Sequence, residues 1–340
     1  MQHSEASGAI CGPLLDPFGR VHTSLRVGVT DRCNIRCSYC MPLHARFRPR
    51  HEILTFEEIE RFVRVVARLG VNRVRLTGGE PLVRHELPEL VRKLAAIPGI
   101  VDLAMTTNGI LLPEHARKLK EAGLQRLNIS LDALGEAAFR QIARRENVQR
   151  VVAGILAAKE CGFRAIRLNT VALRGVTEPE VIPLARFARE HDFELRFIEF
   201  MPLDGDENWR EHQVLSGEEI RAMLSREYGE LIPASRADPS QPAVDYEFPD
   251  GVGRVGFISS VTEPFCGDCS RLRLTAEGKV RNCLFATSDW DVRELLRSGA
   301  GDAEIAQQVR ACVAAKKAGH GVDSPLYLIR PNRSMYQIGG

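Results

Sequence analysis

The chain has 340 residues, 44% of them hydrophobic and 26% charged, with a formal net charge of +2. At about 100–200 residues per domain this is two domains, or one large barrel with an appendage, with enough chain to bury a core without disulfide staples. The near-neutral balance argues against a general nucleic-acid-binding protein.

Residues 1–13 read as a flexible lead, and residues 1–24 contain neither a basic start followed by an apolar stretch nor a small-residue cleavage site, so no secretion signal is expected. No uncharged apolar run reaches the ~18 residues of a membrane span. The expectation is a cytoplasmic protein with no membrane partner. Leu25–Val29 is the first strand. Thr55 then opens a helix through the capping box Thr55-x-x-Glu58. Phe56, Ile59, Phe62, Val63, Val66 and Leu69 share one face of it, and Gly70 ends it. The strand Val71–Leu76 follows. The unit repeats as helix Leu87–Ile97 and strand Val101–Thr106, then helix Pro113–Ala122 and strand Leu127–Leu131. It continues as helix Val148–Cys161 and strand Ala165–Val171, then helix Glu178–His191 and strand Glu194–Phe200. Six strands alternating with helices imply a parallel sheet, closed fully or partly into a (β/α) barrel.

After Met201-Pro202 the rhythm breaks. Residues 202–250 hold two short helical stretches and a loop rich in Pro, Ser and Asp from Pro233 to Pro249. Val255–Ser260 and Leu272–Leu274 read as strands, Asp289–Gly319 as helical, and the end of the chain as an irregular tail. The expected division is a barrel over residues 14–202 and a C-terminal domain over residues 203–340.

The nine cysteines form two groups and three singles. Cys33, Cys37 and Cys40 are spaced C-x3-C-x2-C, and Cys266, Cys269 and Cys283 are spaced C-x2-C-x13-C. Cys11, Cys161 and Cys312 read as small, incidental residues. In a reducing compartment, clustered thiols more often hold metal than form disulfides. Structural zinc takes four protein ligands, so zinc in the first group would recruit His44 or His51. An iron–sulfur cube held by three thiolates keeps one iron open to a non-protein ligand. Spacing alone leaves both readings open. Only seven of the 46 basic residues are lysine, and this arginine bias fits either genomic base composition or a need to grip phosphate.

The unusual residues cluster at strand ends, where the loops of a parallel barrel converge on one opening. Cys33 follows the first strand, Gly78-Gly79-Glu80-Pro81 the second, Thr106-Thr107-Asn108-Gly109 the third and Ser130-Leu131-Asp132 the fourth. Arg167 and Asn169 lie in the fifth, and Met201 ends the sixth. The first cysteine group followed by Gly-Gly-Glu-Pro resembles the radical S-adenosylmethionine superfamily. Three further stretches, Thr30-Asp31-Arg32-Cys33-Asn34, Arg75 to Pro81 and Phe197 to Leu203, narrow the resemblance. With Phe265 to Arg273 and the terminal Gly-Gly, they are similar to the GTP 3′,8-cyclase family of molybdenum cofactor biosynthesis.

That resemblance implies an α/β fold, a partial (β/α)6 barrel of the radical SAM type with a C-terminal extension carrying a second Fe–S cluster. It implies conversion of GTP to (8S)-3′,8-cyclo-7,8-dihydroguanosine 5′-triphosphate by a radical SAM lyase. Cys33, Cys37 and Cys40 then hold a [4Fe–4S] cluster that chelates S-adenosylmethionine, with Tyr39, Gly79, Glu80, Ser130 and Met201 as further contacts. Cys266, Cys269 and Cys283 hold a second [4Fe–4S] cluster whose open iron meets guanine. The GTP positions match Arg26, Arg75, Thr106, Arg167, Arg271, Leu272 and Arg273, and at position 167 the resemblance leads one to expect lysine in many relatives. Gly339 and Gly340 are implied to reach into the active site and act in catalysis. The implied partners are a reductant protein and the downstream cyclic pyranopterin monophosphate synthase, with a homodimer left open and no nucleic acid. The rival readings are a peptide-modifying radical enzyme with an auxiliary cluster, and a non-catalytic metal-binding regulatory protein.

Overall fold

A computed structural model describes residues 12–236, 238–319 and 333–339. Cys11, most of the expected lead and Gly340 lie outside the described residues.

The first half runs β1 (Ser24–Gly28), α1 (Phe56–Arg68), β2 (Arg73–Thr77), α2 (Leu87–Ala95), β3 (Asp102–Thr107) and α3 (Leu112–Glu121). It continues with β4 (Arg126–Ser130), α4 (Glu136–Ala143), α5 (Val148–Glu160), β5 (Ala165–Ala172), α6 (Val181–Glu190) and β6 (Glu194–Glu199). The capping box that predicts α1 is formed in both directions. Thr55 Oγ1 accepts from the Glu58 N–H at 3.2 Å, and the Glu58 carboxylate accepts from the Thr55 N–H at 2.7 Å. Ile59, Phe62, Val63 and Val66 are buried against the sheet, and Gly70 leaves the helix at a φ of +94°.

The C-terminal part supplies α7 (Gly217–Tyr228), β7 (Ile232–Pro233), β8 (Val244–Glu247), β9 (Arg254–Ile258), β10 (Arg271–Leu274) and β11 (Lys279–Arg281). After these come β12 (Trp290–Asp291), α8 (Arg293–Arg297), α9 (Asp302–Ala314) and α10 (Met335–Ile338). All twelve strands share one sheet in the order β12-β11-β10-β1-β2-β3-β4-β5-β6-β9-β8-β7. β10 pairs parallel with β1 and β9 pairs parallel with β6, so the C-terminal strands extend both edges of the six-stranded core. The outermost strands on each side run antiparallel. Among the described residues the expected partial barrel is present, with its helices outside and one hydrophobic core between.

Four segments differ from expectation. Residues 233–249 are not all loop, because Val244–Glu247 forms β8, held in the sheet by its antiparallel pairing with β9. α4 was not expected, because eight residues with Phe139, Ile142 and Ala143 buried are too few to show a helical period. Residues 289–319 are not one helix. The strand β12 precedes α8, and Ser298 to Gly301, with Gly299 at a φ of +80°, separates α8 from α9. The tail is not irregular throughout, since Ser334 opens the single turn α10. No helix among the described residues is long and apolar enough to cross a membrane.

Candidate active site

A cavity of about 470 Å³ occupies the barrel and is lined by both cysteine groups. The first group lies on the loop that leaves β1. That loop is pinned from outside by α4: the Arg36 N–H donates to the Ala143 carbonyl at 3.1 Å and the Ser38 N–H to the Ile142 carbonyl at 2.9 Å. Cys37 and Cys40 are joined by a turn in which the Cys40 N–H reaches the Cys37 carbonyl. Asn108 Nδ2 donates to Asn34 Oδ1 at 2.6 Å and sits 3.8 Å from Cys33 Sγ. Burial, with Glu80 nearby, pushes the Cys33 thiol up to about 11. Burial and then the neighbouring anions push Cys37 and Cys40 up as well. Three thiols, Cys37 buried and the other two half-buried, that repel one another as anions call for positive charge among them. Iron held by thiolates supplies it, so this donor set fits an iron–sulfur cube. Among the described residues no three His, Cys, Asp or Glu side chains are gathered as a single-ion site.

The loop after β2 packs directly on the cysteine loop. The Gly79 N–H donates to the Thr30 carbonyl at 2.8 Å, and the Glu80 N–H to the Arg32 carbonyl at 2.8 Å. A Cβ on Gly78 would stand 2.2 Å from the Thr30 oxygen, and one on Gly79 2.2 Å from the Arg32 oxygen. The glycine pair is therefore required by contact with the cysteine loop, apart from any ligand. Glu80 is buried and already occupied. Its Oε1 accepts from the Leu82 N–H at 3.0 Å and Thr107 Oγ1 at 2.7 Å, and its Oε2 from the Asn108 N–H at 2.7 Å. Burial outweighs these bonds and raises its pKa to about 7. Tyr39 donates to Asp132 Oδ2 at 2.8 Å. Tyr39, Ser130 and Met201 line the same cavity as the first cysteine group.

Cys266 and Cys269 lie on a tight turn before β10, and Cys283 follows β11. Arg20 Nη1 holds the Cys266 carbonyl at 2.7 Å. Lys316, buried just past α9, places its Nζ 3.5 Å from Cys269 Sγ and donates to the Arg271 carbonyl at 3.2 Å. Arg271 Nε lies 3.4 Å from the same sulfur. Burial opposes ionisation of Cys269, but Arg271 and then Lys316 hold it down to about 6. The first group stands among carboxylates and the second among cations.

Strand register sets the arginines in a row. Arg273 on β10 faces Arg26 on β1, which faces Arg75 on β2. Burial, followed by the charges of neighbouring guanidiniums, drives the pKa of Arg26 and Arg75 well down. An arginine nevertheless stays protonated, so among the described residues this row is an unmet demand for anions. Arg271 and Arg273 do point to one side, as alternation in a strand requires, and both line the cavity with Thr106. Leu272 between them is 1% exposed and packs in the core, which leaves only its main chain for a ligand. Arg167 lines the cavity but gives its Nε to Glu194 Oε2 at 2.8 Å, so its charge is partly met. Gly339 is inside: its φ is +71°, its carbonyl accepts from Arg273 Nη1, and a Cβ there would lie 3.1 Å from Thr77 Cγ2.

The motifs did not single out Arg73, Arg126 and Arg196, which also line the cavity and pair with Asp238, Asp102 and Glu194. Asn128 was missed too; its Oδ1 and that of Asn169 are buried without a hydrogen-bond partner at the cavity wall. The detectable signal is alternation, since Arg73 and Arg196 stand two residues from Arg75 and Glu194 on their strands.

A parallel barrel with a three-cysteine loop after its first strand and a glycine pair packed on that loop defines the radical SAM class of enzyme. The profile of the Radical SAM superfamily matches residues 27–188, and that of Molybdenum Cofactor Synthesis C matches residues 193–322. A GTP 3′,8-cyclase of Rhodopirellula baltica is 53% identical over 331 residues, 96% of this chain and 92% of its own. One from Pelotomaculum thermopropionicum is 44% identical, covering 96% of this chain and 99% of its own. Among solved structures, Streptococcus suis SuiB bound to S-adenosylmethionine aligns with a TM-score of 0.63 at 13% identity, over 86% of this chain and 69% of its own. Another, anSMEcpe with bound AdoMet, gives 0.57 at 17% identity over 81% and 79%. The chain belongs to the GTP 3′,8-cyclase family. It is thus a radical SAM enzyme, using S-adenosylmethionine and a [4Fe–4S] cluster.

Proposed function

We propose that this chain converts GTP to (8S)-3′,8-cyclo-7,8-dihydroguanosine 5′-triphosphate with the two cysteine groups dividing the work. The observation that carries the reading is one cavity with thiols at two places and, on its wall, Arg26 and Arg75 without a carboxylate partner among the described residues. When bound, the first cluster would supply the one-electron reduction that cleaves S-adenosylmethionine and so makes the ribose 3′ hydrogen of GTP open to abstraction. Cys33, Cys37 and Cys40 anchor that cluster. Tyr39, Ser130, Met201, the main chain at Gly79 and the remaining acceptor lone pair of Glu80 orient S-adenosylmethionine.

Cys266, Cys269 and Cys283 hold a second [4Fe–4S] cluster at the guanine end. Arg26, Arg75, Arg271 and Arg273 take the triphosphate, because guanidinium pairs with two phosphate oxygens at once. Thr106, Arg167 and the Leu272 main chain complete that wall. Gly339 and Gly340 act in catalysis at the nucleotide. Residues 14–202 carry the first step and residues 203–340 the nucleotide end. The reaction consumes electrons from a reductant protein, and its product passes to cyclic pyranopterin monophosphate synthase.

The test is anaerobic turnover with GTP deuterated at the ribose 3′ carbon, S-adenosylmethionine and a reductant, read by mass spectrometry. Cyclised triphosphate and deuterium in 5′-deoxyadenosine are expected, from a brown protein with about eight irons per chain. Cleavage of S-adenosylmethionine with neither product nor label transfer from GTP overturns the reading.

A further inference from the structure

Of residues 333–339, Met335 and Tyr336 line the cavity, and Tyr336, Ile338 and Gly339 are buried. Arg333 enters with its guanidinium between two carboxylates. Its Nη1 donates to Glu277, and its Nη2 lies 2.6 Å from Asp289 Oδ2. The three side chains are 15%, 5% and 18% exposed, so water screens this grip far less than a surface ion pair. Glu277 sits in the turn between β10 and β11, and Asp289 immediately precedes β12.

Asp289 is shared. Its Oδ1 accepts from Arg281 Nη1 at 2.5 Å, and Arg281 is fully buried two residues before Cys283. The other Nη of Arg281 donates to the Ala286 carbonyl and so closes the turn that carries Cys283. One carboxylate thus joins the arginine that begins the tail to the arginine that shapes the second cysteine group.

Beyond Arg333 the tail is held by burial, with Ile338 fully enclosed, and by a few main-chain bonds. The Met335 N–H donates to the Leu203 carbonyl at 3.0 Å, and the Tyr336 ring is buried. The Tyr336 main chain hydrogen-bonds toward the Cys40 sulfur, and Gly339 rests on Arg273. A four-residue helix does not sustain itself, and chain ends fray unless tied down. The two-carboxylate grip is the only ion pair in the described part of the segment.

We propose that Arg333 is a positioning residue: by gripping Glu277 and Asp289 it seats the tail across the cavity and couples that seat to the turn bearing Cys283. The inference rests on the reading that the tail takes part in the reaction. Neither Arg333 nor its carboxylate partners need touch the nucleotide.

The test uses the cluster-loaded enzyme and three variants. Arg333→Met removes the grip. Arg333→Met with Glu277→Gln removes it without stranding a buried carboxylate. Arg333→Lys keeps the charge but loses the fork. Two quantities are read: amide hydrogen exchange over residues 334–339, and cyclised product formed per 5′-deoxyadenosine. Both Met variants are expected to speed exchange at least tenfold and to lower product per 5′-deoxyadenosine at least fivefold, at unchanged iron content. Arg333→Lys is expected to fall between them and the parent. Unchanged exchange in both Met variants overturns the proposal. Faster exchange with unchanged coupling also overturns it, and deletion of Gly339-Gly340 then tells which idea failed. If that deletion still stops cyclisation, only the role of Arg333 falls; if it turns over normally, the tail reading falls with it.

Discussion

Replacing Arg75 with Met is expected to move stability and nucleotide affinity in opposite directions. Arg75 stands across from Arg26 on the adjacent strand, and no carboxylate partner is present among the described residues. Neighbouring strands are about 4.8 Å apart, so the two guanidiniums lie within roughly 5–8 Å. At an effective dielectric of about 20 they repel by about 2–3 kcal/mol, and water in the open cavity reduces this to about 1 kcal/mol. Methionine keeps most of the stem that packs on the barrel wall. The nucleotide-free variant should therefore melt at the same temperature as the parent or up to about 2 °C higher. GTP should lose a charge-assisted contact worth about 1.5–3 kcal/mol, which is roughly tenfold to over a hundredfold in affinity. Anaerobic calorimetric titration with GTP and a thermal melt of the nucleotide-free protein measure the two effects. A variant that melts several degrees lower and binds GTP unchanged would refute the reasoning, because Arg75 would then be a structural cation.

Cys37→Ala should abolish reductive cleavage of S-adenosylmethionine, whereas Cys283→Ala should leave some uncoupled cleavage and end cyclisation; normal product from the Cys283 variant removes the second group from the GTP site. Deletion of Gly339 and Gly340 should spare both clusters and binding of S-adenosylmethionine while stopping cyclisation, and an unchanged product rate disproves that role. His22 carries a pH dependence. Burial and then the Lys316 charge, opposed by Asp16, hold its pKa down to about 4 against 6.5 unfolded. Between those values the unfolded chain takes up a proton that the folded one refuses, so stability falls as pH is lowered from 6.5 to 4 by up to about 3 kcal/mol. Denaturant titrations across that range should show the fall in the parent and not in His22→Gln; equal slopes in both discount this histidine.

The barrel was legible because its signals are local. A capping box, a one-sided apolar face and a stop glycine each act within one turn, and α1 shows all three. α4 was illegible because eight residues carry too little periodicity, yet its last turn holds the cysteine loop through Arg36 and Ser38. The reading of residues 289–319 as one helix failed where Gly299 and Gly301 interrupt an otherwise helical composition.

The sequence by itself determined which residues have the chemistry. Thiol spacing, the glycine pair and the alternating Arg271 and Arg273 are properties of neighbours along the chain, and all of them line one cavity. It did not determine which arginines are free to meet a ligand. That depends on pairing between strands far apart in sequence: Arg167 acquires Glu194 from β6, Arg126 acquires Asp102 from β3, and Arg73 acquires Asp238 from beyond β7. Arg26 and Arg75 face other arginines instead. A guanidinium is charged wherever it sits, so its role is set by the anion that reaches it, and only the tertiary structure brings that anion or withholds it.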